Sequence, residues 1–335
     1  GRVNLIGEHT DYNDGYVLPF ALPHRVAAAV APRGDTRVTV ATRGSDGRLQ
    51  HAAPVDLHRL RPGEPGGWAS YVAGVVWAFR EECGLTHGAD LVLAGTVPSG
   101  AGLSSSAALE CAVALALTEL TDRTDPSGAP SPEPDLRTRR RLARLAQRAE
   151  NEFVGVPTGA LDQTAALCCV PGHALFFDVG TGTLEQIPFD TAAAGLRVFV
   201  VDTRVKHALG DSAYGDRRAA TAAAARELGL GSLREVTPDR LDDTVARLPG
   251  DLAPLVTHVV SENARVLDVV RHLRAGRPGD IGPALNASHD SLRDDYRVSC
   301  PELDLAVGAA RSAGALGARM TGGGFGGSAL ALVRA

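Results

Sequence analysis

Residues 97–110, VPSGAGLSSSAALE, constrain what this chain can fold into more than any other stretch. A β-rich run at residues 89–97 (ADLVLAGTV) ends in a loop of glycines and serines, and residues 104–120 then read as a largely buried helix. Such a helix needs apolar layers on most of its sides, which calls for strands and helices packed together. Other alternating or β-rich runs fall at residues 37–43, 174–179, 196–203 and 328–333, with helical patterns between them. Residues 136–152 read as an amphipathic helix with Leu142, Leu145, Ala146 and Ala149 on one face, and residues 219–230 as an alanine-rich helix. The expected class is α+β.

The loop has the layout of a phosphate site. Small residues let the backbone approach an anion, successive N–H groups point inward at the helix start, and the helix dipole favours negative charge there. Ser104, Ser105 and Ser106 add hydroxyl donors or a Mg²⁺ ligand. A capped helix after a glycine turn is the alternative, but three serines and two glycines exceed what a cap needs. A Walker loop is excluded, because it requires Gly-Lys-Ser/Thr and the single lysine is Lys206. Gly322, Gly324 and Gly327 in TGGGFGG match dinucleotide spacing formally, yet no βαβ unit and no acidic residue follow them. Residues 317–333 read instead as a glycine-rich loop leading into a closing strand, open to close backbone approach by a ligand.

Two more stretches carry polar groups in telling places. Residues 150–163, ENEFVGVPTGALDQ, end a helix in a Gly/Pro turn and present Asp162 beside Gln163. Asp162 there is either a helix cap or, next to a phosphate loop, a group that orients or deprotonates a hydroxyl, with Glu150 in reach of Mg²⁺. At the start of the chain the apolar run VNLIG leads straight into Glu8, His9, Thr10, Asp11, Tyr12 and Asn13, groups that need hydrogen-bond partners.

Length and charge narrow the class. A chain of 335 residues exceeds the roughly 250–300 at which single cores stop growing, so two domains are expected. A net charge of −5, from 34 basic and 39 acidic residues, disfavours nucleic acid or an anionic membrane as partner and favours small-molecule chemistry. Five cysteines without a CxxC pair suggest neither a disulfide framework nor a zinc site, which fits a reducing cytoplasm. No uncharged stretch approaches the roughly 18 residues needed to span a bilayer. The chain begins at Gly1 without Met, so residues are expected to precede it. The proline-rich stretch 125–135 reads as an exposed loop, and the arginines at 139–141 as a solvated helix face rather than a phosphate site.

Taken together, these stretches resemble the galactokinase family of the GHMP kinase superfamily. GRVNLIGEHTDYN resembles the galactokinase signature, VPSGAGLSSSAALE the superfamily phosphate loop and GARMTGGGFGG its third motif. Similarity continues through VGVPTGALDQ, VKHALGDSAYGDRR and HDSLRDDYRVSCPELD, and so covers nearly the whole chain. The resemblance implies a two-lobed fold: a mixed-sheet N-terminal domain at residues 1–172, an α/β-sandwich C-terminal domain at 173–335, and the active site between them. It implies ATP and Mg²⁺, transfer of the γ-phosphoryl group to the C1 hydroxyl of α-D-galactose, and Asp162 and Arg2 as the catalytic pair. Glu8, His9, Asp11, Gly159, Asp162 and Tyr214 match sugar contacts. Trp68, Ser99, Gly100, Ala101, Gly102, Leu103, Ser104, Ser105 and Ser106 match the ATP site, and Ser106 and Glu150 the Mg²⁺ positions. Trp68 is the looser match and equally suits a core tryptophan. Two departures stand out: Ser99 and Ala101 occupy a loop often richer in glycine, and without the family's preceding residues Arg2 is expected at a frayed end. A kinase for N-acetylgalactosamine, arabinose or galacturonate, or a non-catalytic sugar and ATP sensor, stays open beside this reading. The expected partners are a sugar and MgATP, with no nucleic acid or membrane, and the expected state is a cytoplasmic monomer.

Overall fold

The computed structural model describes residues 1–44, 47–122, 133–206 and 210–335. They divide into two compact units. The first comprises Gly1, Leu22–Pro98 and Ser104–Cys168, and the second Arg2–Ala21, Ser99–Leu103 and Cys169–Ala335. Helices and sheets are mixed in both, as the α+β expectation has it. Apart from its last three residues, the proline-rich stretch 125–135 lies outside the described residues.

In the first unit the sheet runs in the order Val26–Pro32, Ala89–Gly95, Arg37–Arg43 and Leu49–His51, and Val55–Asp56 also pairs with Arg37–Arg43. Arg37–Arg43 and Ala89–Gly95 are parallel to each other, and the remaining pairs are antiparallel. The two-residue period is clean along Ala89–Gly95: Ala89, Leu91 and Leu93 are buried, while Val92 on the other face is exposed. Helix Ser105–Asp122 packs on strand Val26–Pro32 and against helices Ala69–Cys83, Leu136–Arg148 and Leu161–Cys168. Its lack of polarity is thereby explained. Val113 and Leu117 have no exposed surface, and burying each contributes about 1.5–3 kcal/mol.

The amphipathic helix starts where Asp135 Oδ1 accepts from the Thr138 N–H at 2.8 Å and runs over Leu136–Arg148. Instead of continuing to residue 152 it widens into a π-helical turn, Ala149–Val154, closed by the Gly155 N–H on the Glu150 carbonyl at 3.0 Å. The widened turn carries Glu150 and Phe153 into the buried interior. Such turns interrupt helices frequently at functional sites.

The second unit gathers the beginning of the chain with its C-terminal half. Arg2–Asn4 pairs with Pro19–Ala21, and Tyr16–Val17 pairs with His173–Asp178, which in turn pairs with Thr183–Pro188. A boundary between residues 172 and 173 follows chain order, whereas compactness follows these pairings. In a separate sheet Gly326–Arg334 lies between Leu196–Lys206 and Gly317–Thr321, antiparallel to both, so the expected closing strand is central and residues 322–325 form a hairpin turn. Helices Gly282–Asp294 and Pro301–Ser312 pack on this sheet. Leu255, Val256, Val259, Leu292, Tyr296, Leu303 and Met320 belong to its core. The alanine-rich helix spans Gly210–Glu227, beginning earlier than its composition suggested. Among the described residues no helix is long and apolar enough to cross a membrane.

Candidate active site

The chemistry of the first unit gathers at the start of helix Ser105–Asp122. Ser104, the residue before it, has φ +56°, a left-handed conformation that non-glycine residues rarely adopt, and its hydroxyl donates to Asp162 Oδ2 at 2.5 Å. Asp162 lies half-buried in the first turn of helix Leu161–Cys168. Beside it, Gln163 Nε2 donates to Glu150 Oε2 at 2.6 Å and to Glu110 Oε2 at 3.1 Å, and the Ser106 hydroxyl also donates to Glu150. Glu110, Glu150 and Gln163 are all buried, and the second oxygens of Glu110 and Gln163 have no hydrogen-bond partner among the described residues.

Burial and the neighbouring Asp162 push the Glu150 carboxyl up to about 7, against the hydroxyl and amide donors that favour its charged form. Burial, with Glu150 close by, raises Glu110 well above the usual carboxylate range. Carboxyl groups crowded into buried space at a helix N-terminus are a setting that a cation relieves. The hard oxygens of Ser106 and Glu150 fit Mg²⁺, which takes one or two protein oxygens and completes its shell with water and phosphate. No group of three or more His, Cys, Asp or Glu residues able to hold a metal occurs among the described residues.

Gly159 is buried in the turn before helix Leu161–Cys168. Trp68 is half-buried at the start of helix Ala69–Cys83, while the core tryptophan of this unit is Trp77, stacked beneath the Arg148 guanidinium. Ser105 and Ser106 are both half-buried.

In the second unit Arg2 is buried and firmly held, contrary to the expectation of a frayed end. It lies in a strand paired with Ala21, its N–H donates to the Leu103 carbonyl at 3.3 Å, and its guanidinium to the Gly102 carbonyl at 2.8 Å. The Ala101 carbonyl accepts from the Ser328 hydroxyl at 2.7 Å. Residues 99–103 are thus fixed by backbone carbonyls, leaving Ser99 and Gly100 exposed at the tip.

The GEHTDYN stretch is fastened in the same unit. Glu8 Oε2 accepts from Asn4 at 2.8 Å and from Arg319 at 2.6 Å, and Oε1 accepts from the Gly322 N–H at 2.9 Å and the Thr321 hydroxyl at 3.1 Å. Burial raises the Glu8 carboxyl from its ordinary value, opposed by the adjacent Arg319. His9, with φ +62°, is lowered to about 3 by burial and the nearby His258, and is therefore neutral near pH 7. The Gly323 carbonyl, 3.2 Å from Nε2, can only accept, so Nε2 carries the proton and Nδ1 accepts from the Tyr12 hydroxyl at 2.6 Å. Tyr12 in turn meets the Tyr296 hydroxyl at 3.0 Å. Asp11 and Tyr214 are half-buried, the Tyr214 ring lying 5.4 Å from His9 and 5.5 Å from Tyr12.

Within each unit, then, expected site residues meet. Ser104, Ser106, Glu150 and Asp162 cluster in the first. In the second, Arg2 grips the 99–103 loop, and His9, Asp11 and Tyr214 surround Tyr12. Glu110, Gln163, Tyr296 and Arg319 are additions that sequence reasoning missed. Each lies in or beside a stretch already marked for its chemistry, and Glu110 and Arg319 are also charged side chains between apolar neighbours, a signal of a buried network, whereas Gln163 and Tyr296 have polar or charged neighbours and carry no such signal.

Known proteins resemble this chain in sequence and in fold. The GHMP kinase N-terminal domain matches residues 70–169, the GHMP kinase C-terminal domain residues 269–335, and the galactokinase galactose-binding signature residues 1–32. A galactokinase of Streptomyces coelicolor is 52% identical over 339 residues, covering 100% of this chain and 83% of its own. One from Mycobacterium tuberculosis is 41% identical over 340 residues, covering 100% of this chain and 88% of its own. The crystal structure of Lactococcus lactis galactokinase complexed with galactose superposes with a TM-score of 0.88 at 33% identity, over 100% of this chain and 84% of that one. Likeness at the level of fold alone is seen with L. major mevalonate kinase, at a TM-score of 0.64 and 20% identity, over 100% of this chain and 86% of that one. The chain belongs to the galactokinase family, the ATP-dependent sugar phosphotransferases among the GHMP kinases.

Proposed function

We propose that this chain transfers the γ-phosphoryl group of ATP to the C1 hydroxyl of α-D-galactose, giving galactose 1-phosphate. The observation that carries the reading is the hydrogen bond from Ser104 to Asp162 at the N-terminus of helix Ser105–Asp122, which ties a carboxylate acceptor to a phosphate-binding helix start. Asp162 orients the sugar hydroxyl and receives its proton. Arg2 stabilises the charge on the transferring group. Phosphoryl transfer has a loose transition state, so positioning and electrostatics contribute more than early proton removal.

The 99–103 loop and the following serines cradle the ATP phosphates with backbone N–H groups and hydroxyls. Trp68 flanks the adenine. Ser106 and Glu150 would hold Mg²⁺, which, when bound, neutralises phosphate charge. Asp11, Tyr214, Gly159 and Asp162 contact the sugar together with His9 and Glu8, both of which are also engaged by protein groups.

The test is ADP release from MgATP with galactose, N-acetylgalactosamine, galacturonate, arabinose and glucose supplied separately. Turnover with galactose and none of the others is the expected result. Turnover confined to another sugar would overturn the substrate, and ATP binding without ADP release from any sugar would overturn catalysis in favour of a sensor.

A further inference from the structure

We infer that Arg319 is a positioning residue for ATP: it holds Glu8 so that the Glu8 carboxylate fixes the Thr321–Gly322 corner of the hairpin beneath the 99–103 loop. This rests on the proposed assignment of that loop to the nucleotide.

Arg319, in strand Gly317–Thr321, has no exposed surface. A guanidinium is tolerated there because its donors are answered: Nε by the Ser288 hydroxyl at 3.1 Å, one terminal nitrogen by the Asn4 and Leu5 carbonyls at 3.3 and 3.1 Å, the other by Glu8. Glu262 adds a second negative charge 3.8 Å away and is itself held to about 2: burial opposes this, but Arg265 and Arg319 outweigh it. The hydrogen bonds of Glu262 come from the Gly7 N–H, the Ser288 hydroxyl and Arg265.

Glu8 is the charged group that reaches the corner, through the Gly322 N–H at 2.9 Å and the Thr321 hydroxyl, which the Asn4 carbonyl also meets at 3.0 Å. The corner in turn meets the loop backbone to backbone. Gly322 has φ +88°, and a Cβ added to it would come within 3.2 Å of the Gly102 carbonyl oxygen. Past the turn, the Ser328 hydroxyl grips the Ala101 carbonyl. The carbonyl of Gly102 is also the one that Arg2 holds. A shift of the corner therefore moves the carbonyls of 101–102 and re-aims the N–H groups that face phosphate.

A purely structural role predicts something different, namely loss of stability with substrate affinities unchanged. Three variants separate the two: Glu8→Gln, which keeps the shape but loses the charge; Arg319→Met; and Glu262→Gln, which weakens the same buried cluster away from the corner. Thermal midpoints, the calorimetric Kd for ATP and the KM for galactose are measured for each, well below every midpoint. Glu8→Gln and Arg319→Met are expected to weaken ATP binding by at least about tenfold, the loss typical of a broken charge-assisted hydrogen bond. Glu262→Gln is expected to lower the midpoint comparably and leave the ATP Kd within about twofold of wild type. The double variant Glu8→Gln/Arg319→Met should bind ATP no more weakly than Arg319→Met, because the two act as one unit. ATP affinities that fall in step with the midpoints in all three variants overturn the inference. So does a Glu8→Gln variant that raises the galactose KM and leaves the ATP Kd untouched. A wild-type chain that binds ATP but phosphorylates no sugar defeats the kinase reading alone, since the ATP affinities still report on the corner.

Discussion

Replacing Ser104 separates the two things this residue contributes, a hydrogen bond and a difficult backbone conformation. Its hydroxyl lies 2.5 Å from Asp162 Oδ2, and hydrogen bonds to charged groups contribute about 1.5–3 kcal/mol. Asp162 is half-buried, so water can partly replace the hydroxyl, which places the loss at the lower end, about 1.5 kcal/mol. If that bond orients Asp162 for transfer, kcat/KM falls by about tenfold in both Ser104→Ala and Ser104→Gly. Stability distinguishes them. At φ +56° a side chain costs about 1–2 kcal/mol that glycine avoids, while glycine's freer unfolded chain gives back about 0.4–1. Ser104→Gly should therefore be about 0.5–1 kcal/mol more stable than Ser104→Ala, though it is no more active. Urea unfolding and the ADP-release assay measure the two quantities independently. The reasoning would be refuted by Ser104→Ala retaining wild-type kcat/KM, or by Ser104→Gly proving the less stable of the two.

Gln163→Leu leaves Glu110 and Glu150 each short of a buried donor, at about 1–3 kcal/mol apiece, and should lower the urea midpoint accordingly; an unchanged midpoint would show that the two carboxyls find other donors. Gly324→Ala combines φ +84° with a Cβ 2.3 Å from the Val298 carbonyl oxygen, whereas Gly276→Ala at φ +68° meets nothing within 4 Å. The first should destabilise by roughly 2 kcal/mol more than the second, and equal thermal midpoints would remove close approach as the reason for glycine there. His258 is lowered to about 4 by burial, so between about pH 6.5 and 4 the unfolded chain binds a proton that the folded chain refuses. Its contribution to stability is fully present above that window and is lost as pH falls through it. The stability gap between wild type and His258→Gln, followed by urea unfolding, should thus shrink by about 2 kcal/mol from pH 6.5 to 5, and parallel curves would exclude this titration.

Much of the architecture was legible along the chain because it depends on local periodicity. The strands at Arg37–Arg43, Ala89–Gly95, His173–Asp178 and Leu196–Lys206 and the helix at Ser105–Asp122 lie where alternation and apolarity put them. The three motifs were equally legible, since glycines, serines and the GEHTDYN string carry their constraints within a few residues, and the family follows from them. The single amphipathic helix to residue 152 was not, because its periodicity runs on smoothly through residues that the interior draws into a wider turn around Glu150.

What Glu8, Ser104 and Gln163 do was decided by tertiary structure alone. Glu8 read as a sugar contact from its motif, yet its charge is balanced by Arg319, 311 residues away, and its hydrogen bonds end on the hairpin corner. Ser104 read as a phosphate donor, and its hydroxyl is directed at Asp162, 58 residues on. The grouping of residues 2–21 and 99–103 with the C-terminal half has the same origin. A sequence fixes which residue types occupy which local conformations, but a buried charge or hydroxyl takes its partner from whichever distant segment the folded chain brings within about 3 Å.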